Sequence, residues 1–276
     1  MGRGIAQVAA RCGLNVLLHD QDTEVLDAAL RFIDGALLRQ VEKGALQENV
    51  RAELIARIRV AGDLGALSSA DFAIEAISED LALKTQVFAT LDRACRPGVI
   101  LASNTSSLPI TKLAAATRRP DRVIGMHFMN PVPVMELVEI VAGQATSRET
   151  IESTRGLAKT LGKTPVTAQD FPGFISNRVL MPMINEAIYV LYEGVGSRDD
   201  IDTVMRLGMR HPMGPLALAD FIGLDTCLAI LEILQGGFGD PKYRPCPLLR
   251  RMVHAGLLGR KSGRGFYEHG PEGTSR

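Results

Sequence analysis

No stretch of this 276-residue sequence approaches the roughly 18–20 consecutive apolar residues that a membrane-crossing helix needs. The first residues, Met1-Gly2-Arg3-Gly4, also lack the basic-then-apolar pattern of a secretory leader. Cysteine is sparse and scattered: Cys12, Cys95, Cys227 and Cys246 form no CxxC pair. That argues against a zinc site and a disulfide framework, and points to the reducing cytoplasm. The five histidines are equally dispersed, so no metal site is predicted. Neither sign of charge is in excess, since Lys plus Arg and Asp plus Glu both number 31. A nucleic-acid surface needs a basic excess or stripe, and neither is present. What remains is 46% hydrophobic and 22% charged, ordinary for a soluble enzyme and long enough for two domains.

Helical periodicity alternates with short β-branched runs through the first two-thirds. Helices are predicted near 3–12, 23–43, 48–57, 81–94 and 110–116, and strands at 16–18, 72–77, 99–102, 122–128 and 137–141. This alternation predicts a Rossmann-type α/β domain with a mostly parallel sheet covered on both faces. Composition changes after Thr164–Thr167, and Asp170-Phe171-Pro172-Gly173 reads as a hinge. Beyond it a helix is predicted over 174–192, a capping box at Ser197-Arg198-Asp199-Asp200, and further helix near 216–221 and 225–235. The expected organisation is an α/β domain over 1–168 followed by an all-α domain over 169–276.

The first helix is followed by a strand that ends near Asp20, 18 positions after Gly2. A dinucleotide-binding unit runs strand, glycine-rich turn, helix, strand, acidic residue. Here Gly2 fits the last glycine of that turn, the one that allows close helix–sheet packing, and no strand stands before it. Helix amides would face the pyrophosphate, and Asp20 would accept hydrogen bonds from ribose hydroxyls, favouring NAD over NADP. The alternative is that Asp20 only caps the helix beginning near Thr23.

Asn104-Thr105-Ser106-Ser107 follows a predicted parallel strand, at the end where α/β sheets bind ligands. Ser107 as a helix N-cap is the competing explanation. A sharper pattern runs from His127 to Glu139, where two apolar strands flank Pro131 and Pro133. The midpoint is Pro133, so an antiparallel hairpin sets His127 opposite Glu139. Directly paired residues bring their β-carbons to about 4.5–5.5 Å, within reach of a carboxylate–imidazole hydrogen bond. A neutral imidazole so held suits proton removal from a secondary alcohol near neutral pH. The alternative is a strand histidine bonded to backbone, with Glu139 on a solvated edge.

Taken together, these strings resemble the 3-hydroxyacyl-CoA dehydrogenase family over essentially the whole chain. They include Gly2-Arg3-Gly4-Ile5-Ala6-Gln7, Ile74 to Glu79, Ala102 to Leu108, His127 to Pro133, Pro172 to Arg178, Pro212-Met213-Gly214-Pro215 and Lys261 to Tyr267. The resemblance implies His127 as base with Glu139 as its partner, Ser106 near both the reacting oxygen and the CoA ester, and Asn177 as a polar site residue. It further implies NAD contacts at Gly2, Asp20, Glu79, Lys84, Ser106, Asn130 and Lys261, and a CoA contact at Lys43. Without it, Lys43 and Lys84 read as helix-surface charges. A second CoA-contacting serine of the family falls at Ala36. Family members begin with a strand and a Gly-x-Gly-x-x-Gly turn, of which only Met1-Gly2 stands here; a start placed at an internal methionine is the expected explanation, and a chain truly beginning at Met1 is expected to bind NAD weakly and to be poorly stable. The implied partner is an acyl-CoA, and a homodimer through the helical domain is expected. A catalytically silent family member, or a hydroxy-acid dehydrogenase that does not use CoA, are the rival functions.

Overall fold

The computed structural model describes residues 1–270. The chain forms two compact units, divided between Phe171 and Pro172.

The first unit begins with helix α1 (Gly2–Arg11), whose apolar Ile5, Ala6, Val8 and Ala10 are buried. Gly13, at φ +84°, turns the chain out of it. Then come β1 (Val16–Leu18), α2 (Thr23–Glu42), α3 (Glu48–Ala56) and β2 (Ile58–Val60). Next are β3 (Phe72–Glu75), α4 (Leu81–Ala94), β4 (Ile100–Ser103), α5 (Ile110–Ala114) and β5 (Val123–Phe128). The unit closes with β6 (Leu137–Ala142), α6 (Arg148–Thr160) and β7 (Thr164–Gln169). Side-chain caps start several helices: Asp22 accepts from the Glu24 amide, Asp80 from Leu83 and Ser147 from Thr150. Each such cap stabilises its helix by about 1 kcal/mol.

The predicted α/β architecture is present, with the strands grouped in two sheets. One holds β1 and β2, in parallel; the other runs β3-β4-β5-β6-β7. Strands β3, β4 and β5 are mutually parallel, β6 is antiparallel to β5, and β7 is parallel to β6. Helix α1 serves both sheets. Its Ile5 and Val8 join the cluster containing Ile100, Ile124, Met126 and Val138, while Ala6 and Ala10 join the cluster with Ile33, Leu37 and Ile58.

Strands β2 and β7 and helix α6 are absent from the periodicity reading. Strand β2 has Arg59 at its centre and spans three residues. Strand β7 contains Pro165 and pairs with β6 alone, an edge position where a missing amide donor is tolerated. Helix α6 buries Thr150, Thr154 and Ala158 beside Ile151 and Leu157, so threonines interrupt the apolar spacing of its inner face.

The second unit is helical, as predicted: α7 (Ser176–Tyr192), α8 (Arg198–Thr203), α9 (Pro215–Ile222), α10 (Leu224–Phe238) and α11 (Pro247–His254). Helix α7 starts two residues later than the apolar pattern suggests, because Gly173 and Phe174 both have positive φ, +76° and +51°. The Ser197 capping box forms, with its hydroxyl accepting from the Asp200 amide. The core of this unit includes Met181, Ile184, Ile188, Leu224, Leu231 and Leu234. Short bridges join Gly259 to Arg264 and Arg264 to Glu268.

Gly125 lies opposite Val141 in the β5–β6 ladder, and a Cβ there would stand 2.7 Å from the Val141 Cβ. Gly125→Ala is expected to force the two strands apart and destabilise the fold by about 1–3 kcal/mol. Denaturant unfolding of the variant measures this, and an unchanged midpoint would contradict it.

Candidate active site

Every residue of β5 is buried, and so is β6 from Val138 onward. The ladder pairs His127 with Glu139 and Phe128 with Val138, the register obtained by counting from Pro133. His127 Nδ1 and Glu139 Oε2 are 2.8 Å apart, with side chains 10% and 2% exposed. Strand β6 is flanked by β5 and β7. Glu139 therefore occupies no solvated edge, which rules out the alternative for this pair. An ionised carboxylate is acceptor-only, so Nδ1 is the donor of this contact.

The loop leading from β5 to β6 is held from two sides. Lys163, buried, donates to the carbonyls of Val132 at 2.6 Å and Met135 at 2.8 Å. Burial pushes its ammonium pKa down, against the opposing pull of Cys12 and Glu136. On the other side Gly4 of α1 packs so closely that a Cβ would lie 3.0 Å from the Val132 Cβ. The Gly2 position is looser, with 3.8 Å to the Ala76 Cβ, an ordinary contact. Close packing of α1 thus falls on Gly4, which corrects the expectation that Gly2 is the glycine that close packing requires.

At the carboxyl ends of β3 and β4 a second network forms. Lys84 Nζ contacts Glu75 Oε1 at 2.5 Å, and Ser103 Oγ donates to Glu75 Oε2 at 2.7 Å. Lys84 is 1% exposed. Its reading as a helix-surface charge is therefore wrong: α4 turns it inward, where Glu75 supplies the partner that a buried ammonium requires. Its Nζ also lies 3.6 Å from Glu79. Glu79 Oε1 in turn accepts from the Thr105 hydroxyl, from the amides of Ser106 and Ser107, and from both serine hydroxyls. Burial alone would raise the Glu79 pKa. The Thr105 hydroxyl, the charge of Lys84, the Ser106 amide and the Ser107 hydroxyl outweigh it and hold the group below its ordinary value. Ser107 does not cap α5 either. The amides of Ile110 and Thr111 donate to Asp170, 60 and 59 residues further along, and Ser107 is turned to Glu79.

Asp20 follows β1 and is exposed, accepting from the Asp22 amide at 3.1 Å. Since Asp22 is the N-cap of α2, the capping alternative for Asp20 falls. Helix α1 begins at Gly2 with no side-chain cap, beside Ala76 just past β3. Asn130, at the end of β5, is exposed, as is Lys43 at the C-terminal cap of α2. In the second unit Asn177 is buried on the first turn of α7, and Lys261 Nζ contacts Asp225 at 2.6 Å. Sequence reasoning missed Lys163 and the ion pairing of Glu75. A charged residue ending an apolar strand, with a lysine nine positions on, was the available signal for Glu75.

These residues fit a dinucleotide. An uncapped helix N-terminus suits the pyrophosphate, an exposed carboxylate after β1 suits ribose hydroxyls, and Ser106 lies after β4. An α/β dinucleotide-type fold with a buried histidine–glutamate pair is an arrangement suited to a dehydrogenase. The chain belongs to the 3-hydroxyacyl-CoA dehydrogenase family: the profile of its NAD binding domain matches residues 1–171, and that of its C-terminal domain residues 173–269. It is 60% identical to the probable 3-hydroxybutyryl-CoA dehydrogenase of Bacillus subtilis, over 98% of this chain and 94% of that protein. It is 43% identical to the human mitochondrial hydroxyacyl-coenzyme A dehydrogenase, over 98% of this chain and 88% of that one. The crystal structure of (S)-3-hydroxybutyryl-CoA dehydrogenase from Ralstonia eutropha superposes with a TM-score of 0.96 at 49% identity, covering 98% and 96% of the two chains. The family match makes this chain an NAD-dependent oxidoreductase.

Because the folded pKa of Glu79 lies below its ordinary 4.5, its stabilising contribution is complete above that value and is lost as pH falls through the folded one. Hydrogen exchange at the Ser106 and Ser107 amides, corrected for intrinsic rates, is expected to stay protected from neutral pH down to 4.5 and to lose protection as pH falls further, through the lowered folded pKa. Glu79→Gln should lose that protection already at neutral pH.

Proposed function

We propose that His127 is the proton acceptor in the reaction of this chain, the reversible oxidation of an L-3-hydroxyacyl-CoA to the 3-ketoacyl-CoA. The observation that carries this is the buried 2.8 Å contact between His127 Nδ1 and Glu139. Nε2 is assigned to take the hydroxyl proton as the C3–H bond breaks. NAD, when bound, accepts the hydride released from C3. Glu139 holds the ring in one tautomer and balances the positive charge that forms on it, the role of the acidic member in a hydrolase triad. In the reverse direction the imidazolium returns its proton to the carbonyl oxygen.

Ser106 is assigned the hydrogen bond to the reacting oxygen, on a loop whose amides are tied to Glu79. Gly2, Asp20, Glu79, Asn130 and Lys261 are assigned to NAD, with Lys84 acting from beneath as the counter-charge of Glu75 and Glu79. Lys43, exposed at the end of α2, is assigned to the CoA phosphates. Asn177 carries over from the family resemblance alone. A short acyl chain is supported by the names of the Bacillus subtilis and Ralstonia eutropha relatives, both 3-hydroxybutyryl-CoA dehydrogenases. Four free thiols support a reducing compartment, the cytoplasm.

His127→Gln is expected to lower kcat by about 10²–10⁴-fold, the usual worth of a general base. NADH affinity, read from its fluorescence titration, should stay near that of the parent. Glu139→Gln should also cut kcat strongly, by removing the counter-charge. Oxidation of NADH with acetoacetyl-CoA measures both, and parental turnover in either variant would refute the assignment.

A homodimer belongs to the same proposal. The helical unit exposes Val179, Val204, Leu207 and Met209 by 57–72% each, an apolar surface that a second copy would cover. Sedimentation equilibrium is expected to give twice the chain mass, and Leu207→Asp to shift the protein toward monomer.

A further inference from the structure

The recorded pairing of β4 with β5 ends where Ser103 faces Gly125. Strand β5 runs on for three more residues, Met126, His127 and Phe128. On its other flank these residues remain zipped to β6 through Ile140, Glu139 and Val138. Past the end of β4, the Phe128 amide meets a side chain: it donates to Asn104 Oδ1 at 2.9 Å. Asn104 is itself fixed, because its own amide donates to the Glu75 carbonyl at 2.8 Å. The Glu75 carboxylate is in turn held by Lys84, Ser103 and the Ile77 amide. Two residues beyond Asn104, the Ser106 amide is tied to Glu79.

One side-chain oxygen therefore joins the loop that carries Ser106 to the strand that carries His127. We infer that Asn104 is a positioning residue, which fixes the base and the Ser106 loop relative to each other by accepting a hydrogen bond from the residue next to His127. An amide oxygen is suited to this place, since it replaces the ladder carbonyl that β4 no longer supplies. Misplacement of a catalytic group by about 1 Å can cost on the order of 10²-fold in rate. The anchor is needed where β5 has lost one neighbour.

The inference rests on His127 being the base. Asn104→Ala removes the acceptor, Asn104→Asp keeps it, and His127→Gln serves as the parallel control. Asn104→Ala is expected to lower kcat about 10–100-fold, to leave NADH affinity from fluorescence titration within about threefold, and to raise the primary deuterium isotope effect on kcat as hydride transfer becomes limiting. Exchange of the Phe128 amide should accelerate in the same variant. Asn104→Asp should recover most of the turnover and the slow exchange.

A loss caused only by a smaller folded fraction would leave the isotope effect unchanged and would overturn the proposal. So would an Asn104→Asp variant as impaired as Asn104→Ala. If Asn104→Ala is insoluble, Asn104→Ser, whose hydroxyl is too short to reach the amide, takes its place under the same criteria. A fully active His127→Gln would mean that the base is misassigned. An inactive His127→Gln beside a parental Asn104→Ala would remove the positioning role alone.

Discussion

The reversal of direction between β5 and β6 is the constraint on which the site depends. On one side of it β3, β4 and β5 run together; on the other β6 and β7 run the opposite way. Only an antiparallel return of this length places side chains 12 residues apart directly across from each other. Both are buried among apolar neighbours, where an unpaired carboxylate is unstable. Glu139 therefore binds the imidazole because it has been denied water, and the imidazole gains a fixed orientation as a result. Packing at Gly125, the grip of Lys163 on the connecting loop and the contact of Gly4 with Val132 all serve to keep that reversal tight.

Around this pair the polar groups gather where parallel strands end. Glu75, Lys84, Ser103 and Glu79 form a connected set at the carboxyl ends of β3 and β4. The buried ammonium of Lys84 helps hold Glu79 in its charged form, and Glu79 can then accept from an entire loop. The loop is ordered by electrostatics rather than by apolar packing.

Helix α1 links this region to the rest of the unit. Its residues 5 and 8 face one sheet and its residues 6 and 10 the other, so a single amphipathic helix ties two sheets that share no ladder. The helix start and the exposed Asp20 carboxylate are the parts assigned above to the dinucleotide. The histidine lies on the larger sheet, and Val132 in the connecting loop touches the same helix. Helix α1 and the strand of His127 are thus neighbours through one loop.

Much of this was determined by the sequence alone. Long helices such as α2, α4 and α7 follow from apolar spacing, since each needs only contacts along its own turns to be recognised. The pairing of His127 with Glu139 followed from counting about Pro133, because a hairpin is local and its register is an arithmetic fact. The Ser197 cap was equally local. Tertiary structure decided the rest. Lys84 looked like a surface charge until α4 turned it onto Glu75, and α5 is capped by Asp170 from 60 residues away rather than by Ser107. Strands β2 and β7 carry no periodic signal strong enough to announce them; neighbours made them strands. Where a polar group ends up depends on which strand ends meet, and that is settled only when distant segments pack and each buried charge finds a partner.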